Sequence, residues 1–340
     1  MKILVTGGAG YIGSNTILEL LKNENMEVIS ADNFRNSYPE VFGRIEKISG
    51  KKIGNYNIDL CDAAATRSIF EKEKNIAAVI HFAALKSVPE SVAKPQLYYD
   101  NNNGSLKNIL NCCETFNVRY FIFSSSCSVY GNIDRLPVNE ETPLGKAESP
   151  YAETKQEGEK IVKAFAEKNA TIKCVSLRYF NPVGAYPGGL NGEAPVKPPE
   201  NLVPVITGTA IGKIKETVVS GKDHPTRDGT CIRDYVHVCD VADAHVKALH
   251  FLAKNKNKKN YFLFNVGTGK GVSVLEAIHA FEKVSGKKLN YRIGAARAGD
   301  VHAVYSDCSL AEKELGWKPK YAIEDMMESA WLWELRNSQE

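Results

Sequence analysis

The sequence predicts an α/β protein in which a doubly wound parallel sheet is followed by a smaller α/β region. In the first 180 residues, short β-branched runs alternate with longer helical stretches, which is typical of parallel strands covered by helices. Between about Pro182 and Pro204 this pattern gives way to a stretch rich in Gly, Pro and Asn, which indicates a loop-rich transition. We therefore expect two domains, residues 1–180 and residues 181–340, with a ligand in the cleft between them.

The individual elements follow from the hydrophobic pattern. The predicted strands of the first domain are Ile3–Val5, Val28–Ser30, Ala78–Ile80, Tyr120–Phe123 and Cys174–Leu177. The second domain is predicted to contain short strands and helices near Val203–Ile214, Val238–Lys254, Ser273–Ser285 and Ser309–Leu315.

Composition excludes several classes of protein. The chain has 43 basic and 40 acidic residues, so it lacks the basic surplus that nucleic-acid binding usually requires. Its eight cysteines show no metal-type spacing and are typical of reduced thiols, so we expect no bound metal. No apolar stretch approaches the roughly 20 residues of a membrane span, and no leader precedes the first strand. These features predict a cytoplasmic protein without nucleic-acid or membrane partners.

A glycine-rich turn follows the first strand. Gly7, Gly10 and Gly13 are spaced G-x-x-G-x-x-G and precede an amphipathic helix. Glycines at these places permit a tight turn, close approach to a pyrophosphate and close packing of helix on sheet. The second strand leads to Asp32, at about the distance where an acid binds the adenine-side ribose. Because Asp32 would repel a 2′-phosphate, NAD is favoured over NADP, although Arg35 lies nearby.

Tyr151 and Lys155 form the candidate catalytic pair. Ser149 followed by Pro150 predicts a helix start, which places the tyrosine and the lysine four residues apart on one helical face. Lowering the pKa of a tyrosine from about 10 to about 7 requires about 4 kcal/mol. An ammonium about 4 Å away at an effective dielectric near 20 supplies on the order of 4 kcal/mol. The hydroxyl-rich run from Ser124 to Ser128 ends a parallel strand, at the edge where such sheets bind ligands.

Together these motifs resemble the extended short-chain dehydrogenases/reductases, whose patterns are T-G-G-x-G-x-x-G and Y-x-x-x-K. Within that group the chain is similar to UDP-galactose 4-epimerases over essentially its whole length. The supporting stretches are residues 79–86 (VIHFAALK), 177–185 (LRYFNPVGA), 233–238 (RDYVHV) and 314–317 (ELGW). The resemblance implies a Rossmann NAD-binding domain over residues 1–180 and a UDP-sugar-binding domain over residues 181–340.

The resemblance also implies a reaction. Tyr151 would remove the proton of the sugar 4-hydroxyl while hydride passes to the nicotinamide, and Ser126 would hydrogen-bond that hydroxyl. Lys155 would lower the pKa of Tyr151 and hold the nicotinamide ribose. The 4-keto sugar would then turn over and take hydride back, so NAD would stay bound. A homodimer formed through helices near residues 101–116 and 151–167 is implied as well.

Contact residues are carried over from the same resemblance. The cofactor contacts are Gly7, Gly10, Tyr11, Ile12, Gly13, Asp32, Asn33, Asn36, Ser37, Asp59, Leu60, Phe82, Ala83, Ala84, Lys86, Asn101, Ser126, Tyr151, Lys155 and Phe180. The UDP-sugar contacts are Lys86, Ser126, Tyr151, Asn181, Asn201, Leu202, Val218, Val219, Ser220, Arg233, Arg297, Asp300 and Val304. Two arginines suit a diphosphate because guanidinium groups bind phosphate oxygens in a fork.

Two positions depart from the epimerase pattern. Ser220 replaces an aromatic residue expected against the uridine, and Val304 replaces a bulky tyrosine expected at the border of the sugar pocket. A smaller border leaves room for a 2-acetamido group, so we hypothesise that UDP-N-acetylglucosamine and UDP-N-acetylgalactosamine are also accepted. A UDP-N-acetylglucosamine 4-epimerase as the main activity is an alternative.

Two further alternatives are weaker. A nucleotide-sugar dehydratase needs an Asp–Glu pair where this chain has Cys127 and Ser128, neither of which readily performs that acid–base chemistry. A non-catalytic NAD-sensing protein on the same fold is disfavoured because both Tyr151 and Lys155 are retained.

Overall fold

The computed structural model of the protein describes residues 1–133, 135–254, 258–296 and 301–338. Its strands are β1 (Lys2–Thr6), β2 (Glu27–Ala31), β3 (Gly54–Tyr56), β4 (Ile76–His81), β5 (Tyr120–Ser126), β6 (Lys173–Tyr179), β7 (Asn181–Val183), β8 (Thr217–Ser220), β9 (Ile232–His237), β10 (Tyr261–Val266), β11 (Gly271–Ser273), β12 (Tyr291–Gly294) and β13 (Ala303–Val304).

Helices connect and cover these strands. The α-helices are α1 (Tyr11–Leu21), α2 (Glu40–Ser49), α3 (Ala63–Lys72), α4 (Val88–Ala93), α5 (Pro95–Tyr98), α6 (Gly104–Thr115), α7 (Pro150–Lys168), α8 (Leu202–Ala210), α9 (Val238–Lys254), α10 (Val274–Ser285), α11 (Ser309–Leu315) and α12 (Ile323–Asn337). A π-helix spans Tyr99–Asn103, and 3₁₀ helices span Cys127–Tyr130 and Pro187–Gly189. Within the described ranges, no helix is both long and apolar enough to cross a membrane.

Seven parallel strands form the large sheet, in the order β3-β2-β1-β4-β5-β6-β10. The order reverses at β1, whose neighbours are β2 on one side and β4 on the other. This is the doubly wound Rossmann arrangement, and it confirms the predicted fold class. In such sheets ligands bind beyond the carboxyl ends of the strands, where the order reverses.

Both faces of this sheet are buried, which explains its continuous apolar runs. Ile3 and Val5 point into the hydrophobic core on the side of α1 and α9, whereas Leu4 points into the core on the side of α3, α6 and α7. All three side chains are fully buried. Successive residues of a strand alternate between faces, so one short run contributes to both cores.

A smaller α/β unit follows, as predicted. Strand β9 lies between β11 and β13 and also pairs with β7, while β8 and β12 form a separate parallel pair. Helices α8, α10 and α12 cover these strands, and Phe281 packs edge-on against Trp331 with ring centres 5.6 Å apart.

Two elements of the second half belong to the large sheet. Strand β10 pairs with β6 at the sheet edge, and α9 packs against α1, β5 and β6. A division of the chain after residue 180 therefore stays a prediction, because the polypeptide returns to the large sheet after that point.

Candidate active site

The glycine-rich turn lies between β1 and α1, as the motif predicts. Gly10 is the residue before the first turn of α1. Gly7 has a φ of +69°, and a Cβ there would lie 2.8 Å from the backbone nitrogen of Ala83. A Cβ on Gly13 would lie 2.2 Å from the Gly7 carbonyl oxygen. Only glycine therefore allows α1 to start this close to the sheet, with its free N–H groups facing the cleft.

Asp32 follows β2 and is fixed by the turn around it. Its Oδ2 accepts a hydrogen bond from the backbone of Ala9 at 3.0 Å, and its Oδ1 accepts from Ser37 Oγ and the Phe34 backbone at 2.9 Å each. The carboxylate is thereby held beside the glycine turn. This is the position that a ribose hydroxyl donor would require.

A cleft of 330 Å³ opens beside these residues, within the size range of small-molecule sites. Most predicted cofactor contacts line it: Gly7, Gly10, Tyr11, Ile12, Gly13, Asp32, Asn33, Asn36, Ser37, Asp59, Leu60, Phe82, Ala83, Ala84, Lys86, Asn101, Tyr151 and Lys155. Two predicted contacts, Ser126 and Phe180, lie outside its lining. Phe180 is buried beside Tyr130, with ring centres 6.4 Å apart.

The helix that carries the catalytic pair begins as the sequence predicts. Ser149 Oγ accepts a hydrogen bond from the backbone of Ala152 at 3.2 Å, and Pro150 is the first residue of α7. This start places Tyr151 and Lys155 on the face of α7 that meets the large sheet. Both side chains line the cleft.

Burial dominates the electrostatics of Tyr151. It raises the pKa of the phenol to about 12, and a hydrogen bond with Ser126 only partly opposes this rise. The Lys155 ammonium lies 5.9 Å from the centre of the Tyr151 ring. Desolvation of the phenolate is thus the larger influence on Tyr151 in the protein without its cofactor, and the lowering of its pKa by Lys155 together with the positive nicotinamide stays a prediction.

Lys155 is buried and fixed. Its Nζ donates to the backbone oxygen of Ser124 at 2.7 Å and lies 5.1 Å from the centre of the Phe123 ring. Burial lowers the pKa of Lys155 to about 8, while the carboxylate of Glu159, one helical turn further along α7, raises it. The lysine therefore remains largely protonated at pH 7, close to the point where it can exchange a proton.

Three serines at the end of β5 have distinct partners. Ser124 contacts the Tyr179 hydroxyl, and Ser125 Oγ donates to Glu159 Oε1 at 2.5 Å. Ser126 Oγ accepts from the backbone of Ser128 at 3.2 Å and also interacts with Tyr151. Of these three serines, Ser126 is therefore the one whose side chain interacts with the candidate base, Tyr151.

On the predicted substrate side, Asn181 and Arg233 occupy adjacent strands, β7 and β9. Asn181 Oδ1 is buried and has no hydrogen-bond partner among the described residues, which marks it as an acceptor available to a ligand. Arg233 Nη1 donates to the Val301 carbonyl at 2.6 Å. Burial raises the pKa of Cys127, the residue after β5, and the charge of Arg233 partly opposes this rise.

Val304 pairs with Arg233 across β13 and β9 and is almost fully buried. It packs in a small hydrophobic cluster with Tyr130 and Phe180, against which Cys127 also lies. The side chain thus belongs to this cluster, next to the segment that follows Ser126, and does not line the 330 Å³ cleft.

The remaining predicted substrate contacts do not lie together in one place. Asn201 lines the cleft, and Leu202 begins α8. In β8, Val219 is buried in the core of the smaller unit while Val218 is exposed, so their side chains face opposite ways. Ser220 is half-buried at the end of β8. Arg297 and Asp300 lie outside the described residues.

The cleft also contains residues that the sequence analysis did not identify. They include Tyr38, Arg44, Tyr179 and the whole loop over residues 192–200. This loop lacks any periodicity that would orient its side chains. Its content of Gly and Pro indicated only a turn-rich segment.

Comparison with known proteins shows similarity over almost the whole chain. Residues 4–330 match the family model described as GDP-mannose 4,6 dehydratase. The chain is 46% identical to a UDP-glucose 4-epimerase of Drosophila melanogaster over 98% of this chain and 97% of that protein.

Solved structures of similar proteins have the same fold as this chain. The UDP-glucose 4-epimerase of Bifidobacterium longum, in complex with NAD+ and UDP, is 46% identical, with a TM-score of 0.94 over 99% of both chains. The UDP-Glc/GlcNAc 4-epimerase of Campylobacter jejuni is 36% identical, with a TM-score of 0.84 over 98% of this chain and 99% of that one. With the resemblance carried along its whole length by both sequence and structure, the chain belongs to the family of UDP-glucose 4-epimerases, within the extended short-chain dehydrogenases/reductases.

Proposed function

We propose that the protein interconverts UDP-galactose and UDP-glucose by reversible 4-epimerisation with a tightly bound NAD. The observation that carries this proposal is the convergence of Tyr151 and Lys155 on a dinucleotide-type cleft, with Ser126 interacting with Tyr151. The relative from Bifidobacterium longum binds NAD+ and UDP, which supports the same ligands here.

The residues of the cleft fit NAD. The turn at Gly7 leaves no room for a side chain, so backbone N–H groups can approach a pyrophosphate. The fixed carboxylate of Asp32 suits the two hydroxyls of an unphosphorylated ribose. Bound NAD supplies a hydride acceptor at the sugar and a positive ring charge that favours the phenolate of Tyr151.

Tyr151 is proposed as the base and Ser126 as its partner. The phenolate oxygen of Tyr151 takes the proton of the sugar 4-hydroxyl and becomes the phenol, while Ser126 holds that hydroxyl by a hydrogen bond. Lys155 stabilises the phenolate by its charge and is itself held by Ser124 at 2.7 Å. Burial of these groups keeps water away from the 4-keto sugar.

The uridine diphosphate is proposed to stay bound while the keto sugar turns over. Arg233, with Arg297, would neutralise the diphosphate, and the unpaired Oδ1 of Asn181 would accept from a ligand hydroxyl. Holding the nucleotide while leaving the hexose free to rotate allows hydride to return to the opposite face of carbon 4.

The test is conversion of UDP-galactose by the purified protein with no NAD added. We expect UDP-glucose from the wild type and a loss of roughly 10²- to 10⁴-fold in kcat for Tyr151→Phe, which removes the base. Tyr120→Phe, at the far end of β5, serves as the control and should keep full activity. Equal rates for wild type and Tyr151→Phe would contradict the role of the base.

Acceptance of N-acetylated UDP-hexoses is a second candidate function, favoured by Val304. This small, buried residue packs in the cluster that Cys127, the residue after Ser126, lies against, and the relative from Campylobacter jejuni is a UDP-Glc/GlcNAc 4-epimerase. Val304→Tyr should lower kcat/KM for UDP-N-acetylglucosamine at least about tenfold relative to UDP-galactose, because a bulkier border excludes the acetamido group. Val304→Ile is the control, and an unchanged ratio in Val304→Tyr would contradict the hypothesis.

Dehydration is less well supported, although the matching family model bears a dehydratase name. Burial raises the pKa of Cys127 to about 12, so the thiol stays protonated and cannot act as a base near pH 7. Ser128 in the next position has no acidic proton to give to a leaving hydroxyl.

We also propose a cytoplasmic homodimer formed through α6 and α7, as the resemblance implies. Helices α6 and α7 lie side by side and present charged outer faces. Light scattering of the purified protein should give twice the mass of the 37.5 kDa chain.

A further inference from the structure

Glu193 joins two parts of the cleft that are far apart in sequence. Its Oε1 accepts a hydrogen bond from Lys86 Nζ at 2.9 Å and another from Asn201 Nδ2 at 2.9 Å. Lys86 follows β4 and belongs to both the proposed cofactor contacts and the proposed nucleotide-sugar contacts, whereas Asn201 precedes α8 and belongs to the nucleotide-sugar contacts only. One carboxylate oxygen therefore holds both side chains.

The position of Glu193 is itself fixed. Its backbone oxygen accepts a hydrogen bond from Trp333 Nε1 at 2.9 Å, so a side chain of α12 anchors the loop over residues 192–200. A Cβ on Gly192 would lie 2.4 Å from the Trp333 ring, so the indole packs directly on the preceding residue. The Glu193 side chain is only 13% exposed, whereas Lys86 is 61% exposed. The carboxylate is thus the buried member of the pair on an anchored loop, and the lysine is the solvent-exposed one.

The charge of Glu193 also acts on a residue next to the glycine-rich turn. It contributes to raising the pKa of Tyr11, the first residue of α1 and another proposed cofactor contact, for which burial is the larger cause. Glu193 therefore faces the dinucleotide part of the cleft and the nucleotide-sugar part at once.

We propose that Glu193 is a positioning residue that couples the two parts of the cleft by holding Lys86 and Asn201 in their binding positions; this inference rests on the proposed function. Without Glu193, the long Lys86 side chain would lose its fixed partner, and Asn201 would be free to turn away. Both residues bind parts of the ligands remote from carbon 4. Their loss should therefore weaken binding of substrate without slowing the chemical step.

The test compares Glu193→Ala and Glu193→Gln with a matched control. Glu334→Gln removes a carboxylate of equal exposure, 13%, that pairs with Lys213 at 2.8 Å away from the cleft. With NAD added to saturation, we expect Glu193→Ala to raise the KM for UDP-galactose about tenfold with kcat within about twofold, since two hydrogen bonds are lost, one of them to an exposed cation. Glu193→Gln keeps an acceptor for Asn201 and should raise the KM about threefold. Glu334→Gln should match the wild type in both constants.

A double mutant separates positioning from local structure. In a Lys86→Met background, Glu193→Gln should have almost no further effect on KM, because its effect acts through the lysine. The affinity for UDP by calorimetry and the NAD retained after dialysis should fall in Glu193→Ala and stay unchanged in Glu334→Gln.

Two results would overturn the proposal. One is a Glu193→Ala variant with wild-type KM, UDP affinity and NAD retention. The other is a Glu193→Gln effect that persists in full when Lys86 is Met. If the wild type failed to convert UDP-galactose, the proposed function would fall, and UDP affinity and NAD retention would still decide the role of Glu193.

Discussion

Three ionisable side chains on one face of α7 surround the proposed catalytic position. Tyr151, Lys155 and Glu159 follow one another at intervals of four residues and so share one face of the helix. Burial works against the charged forms of the first two, and Glu159 favours the charged form of the second. Glu159 is in turn neutralised by Arg178, with Nε and Nη2 at 2.8 and 2.6 Å from its two oxygens. The proposed base Tyr151 therefore has one buried ammonium near its ring, 5.9 Å from the ring centre.

Removing that ammonium should make activity depend on pH. For Lys155→Met with excess NAD, we expect kcat at pH 7 to fall on the order of 100-fold. It should then rise about tenfold per pH unit between pH 7 and 9, because phenolate becomes more abundant as pH approaches the raised pKa of Tyr151.

The rate should be measured by single-turnover conversion of UDP-galactose at each pH. Lys160→Met removes an exposed lysine from the same helix and should behave as the wild type. A Lys155→Met variant with the wild-type pH profile would contradict this role.

Residues with a fixed spacing could be predicted from the sequence, and residues defined by tertiary contact could not. The glycine turn, Asp32 and the Tyr151–Lys155 pair depend on local geometry, and the structure brings them to one cleft. Glu193 was missed because its importance comes from Lys86, 107 positions away. The burial of Tyr151, which raises its pKa, could not be obtained from spacing.

At the scale of helices and strands, periodicity predicted the elements well and their partners less well. Strands β1, β2, β4, β5 and β6 and helices α7 and α9 lie where the apolar pattern places them. Strand β10 was expected as one of the short strands of the second region, yet it completes the large sheet beside β6. Strand partners at long sequence separation are set by how helices pack on the sheet, which no local pattern records.

The π-helix at Tyr99–Asn103 is another element that spacing does not indicate. It interrupts the path from α5 to α6 and turns Asn101 towards the cleft while Asn102 contacts Leu85. Such insertions are frequent at functional sites. The run Asn101-Asn102-Asn103 is the one signal in the sequence, since three amides are unusual inside a helix.

At the scale of the whole molecule, the stability of the fold is coupled to pH through buried histidines. Burial lowers the pKa of His81 to about 3 and those of His237 and His245 to about 4. These groups are neutral in the folded protein, whereas in the unfolded chain they take up protons near pH 6.5. The stability of the fold that depends on these histidines being neutral is therefore fully present above pH 6.5. It is lost as the pH falls towards 4.

We expect the free energy of unfolding to decrease between pH 7 and pH 5, by roughly 2 kcal/mol for each of these histidines. Asp240 acts in the opposite direction. Burial raises its pKa to about 6, so protonation in acid removes the free-energy cost of its buried charge.

Denaturant unfolding at pH 7, 6 and 5 measures the net change in the free energy of unfolding. His245→Gln should flatten the pH dependence by about 2 kcal/mol, and the exposed His279→Gln should leave it unchanged. Equal stability at pH 7 and pH 5 would contradict the expectation.

The central claim is that hydride leaves carbon 4 and returns to it within one bound complex. The most direct measurement is to incubate the protein, with no NAD added, with UDP-galactose carrying deuterium at carbon 4, and to analyse the product by mass spectrometry. We predict UDP-glucose that retains the deuterium in full, because the hydride never leaves the closed cleft. Product without deuterium, or no product until NAD is supplied, would contradict the account.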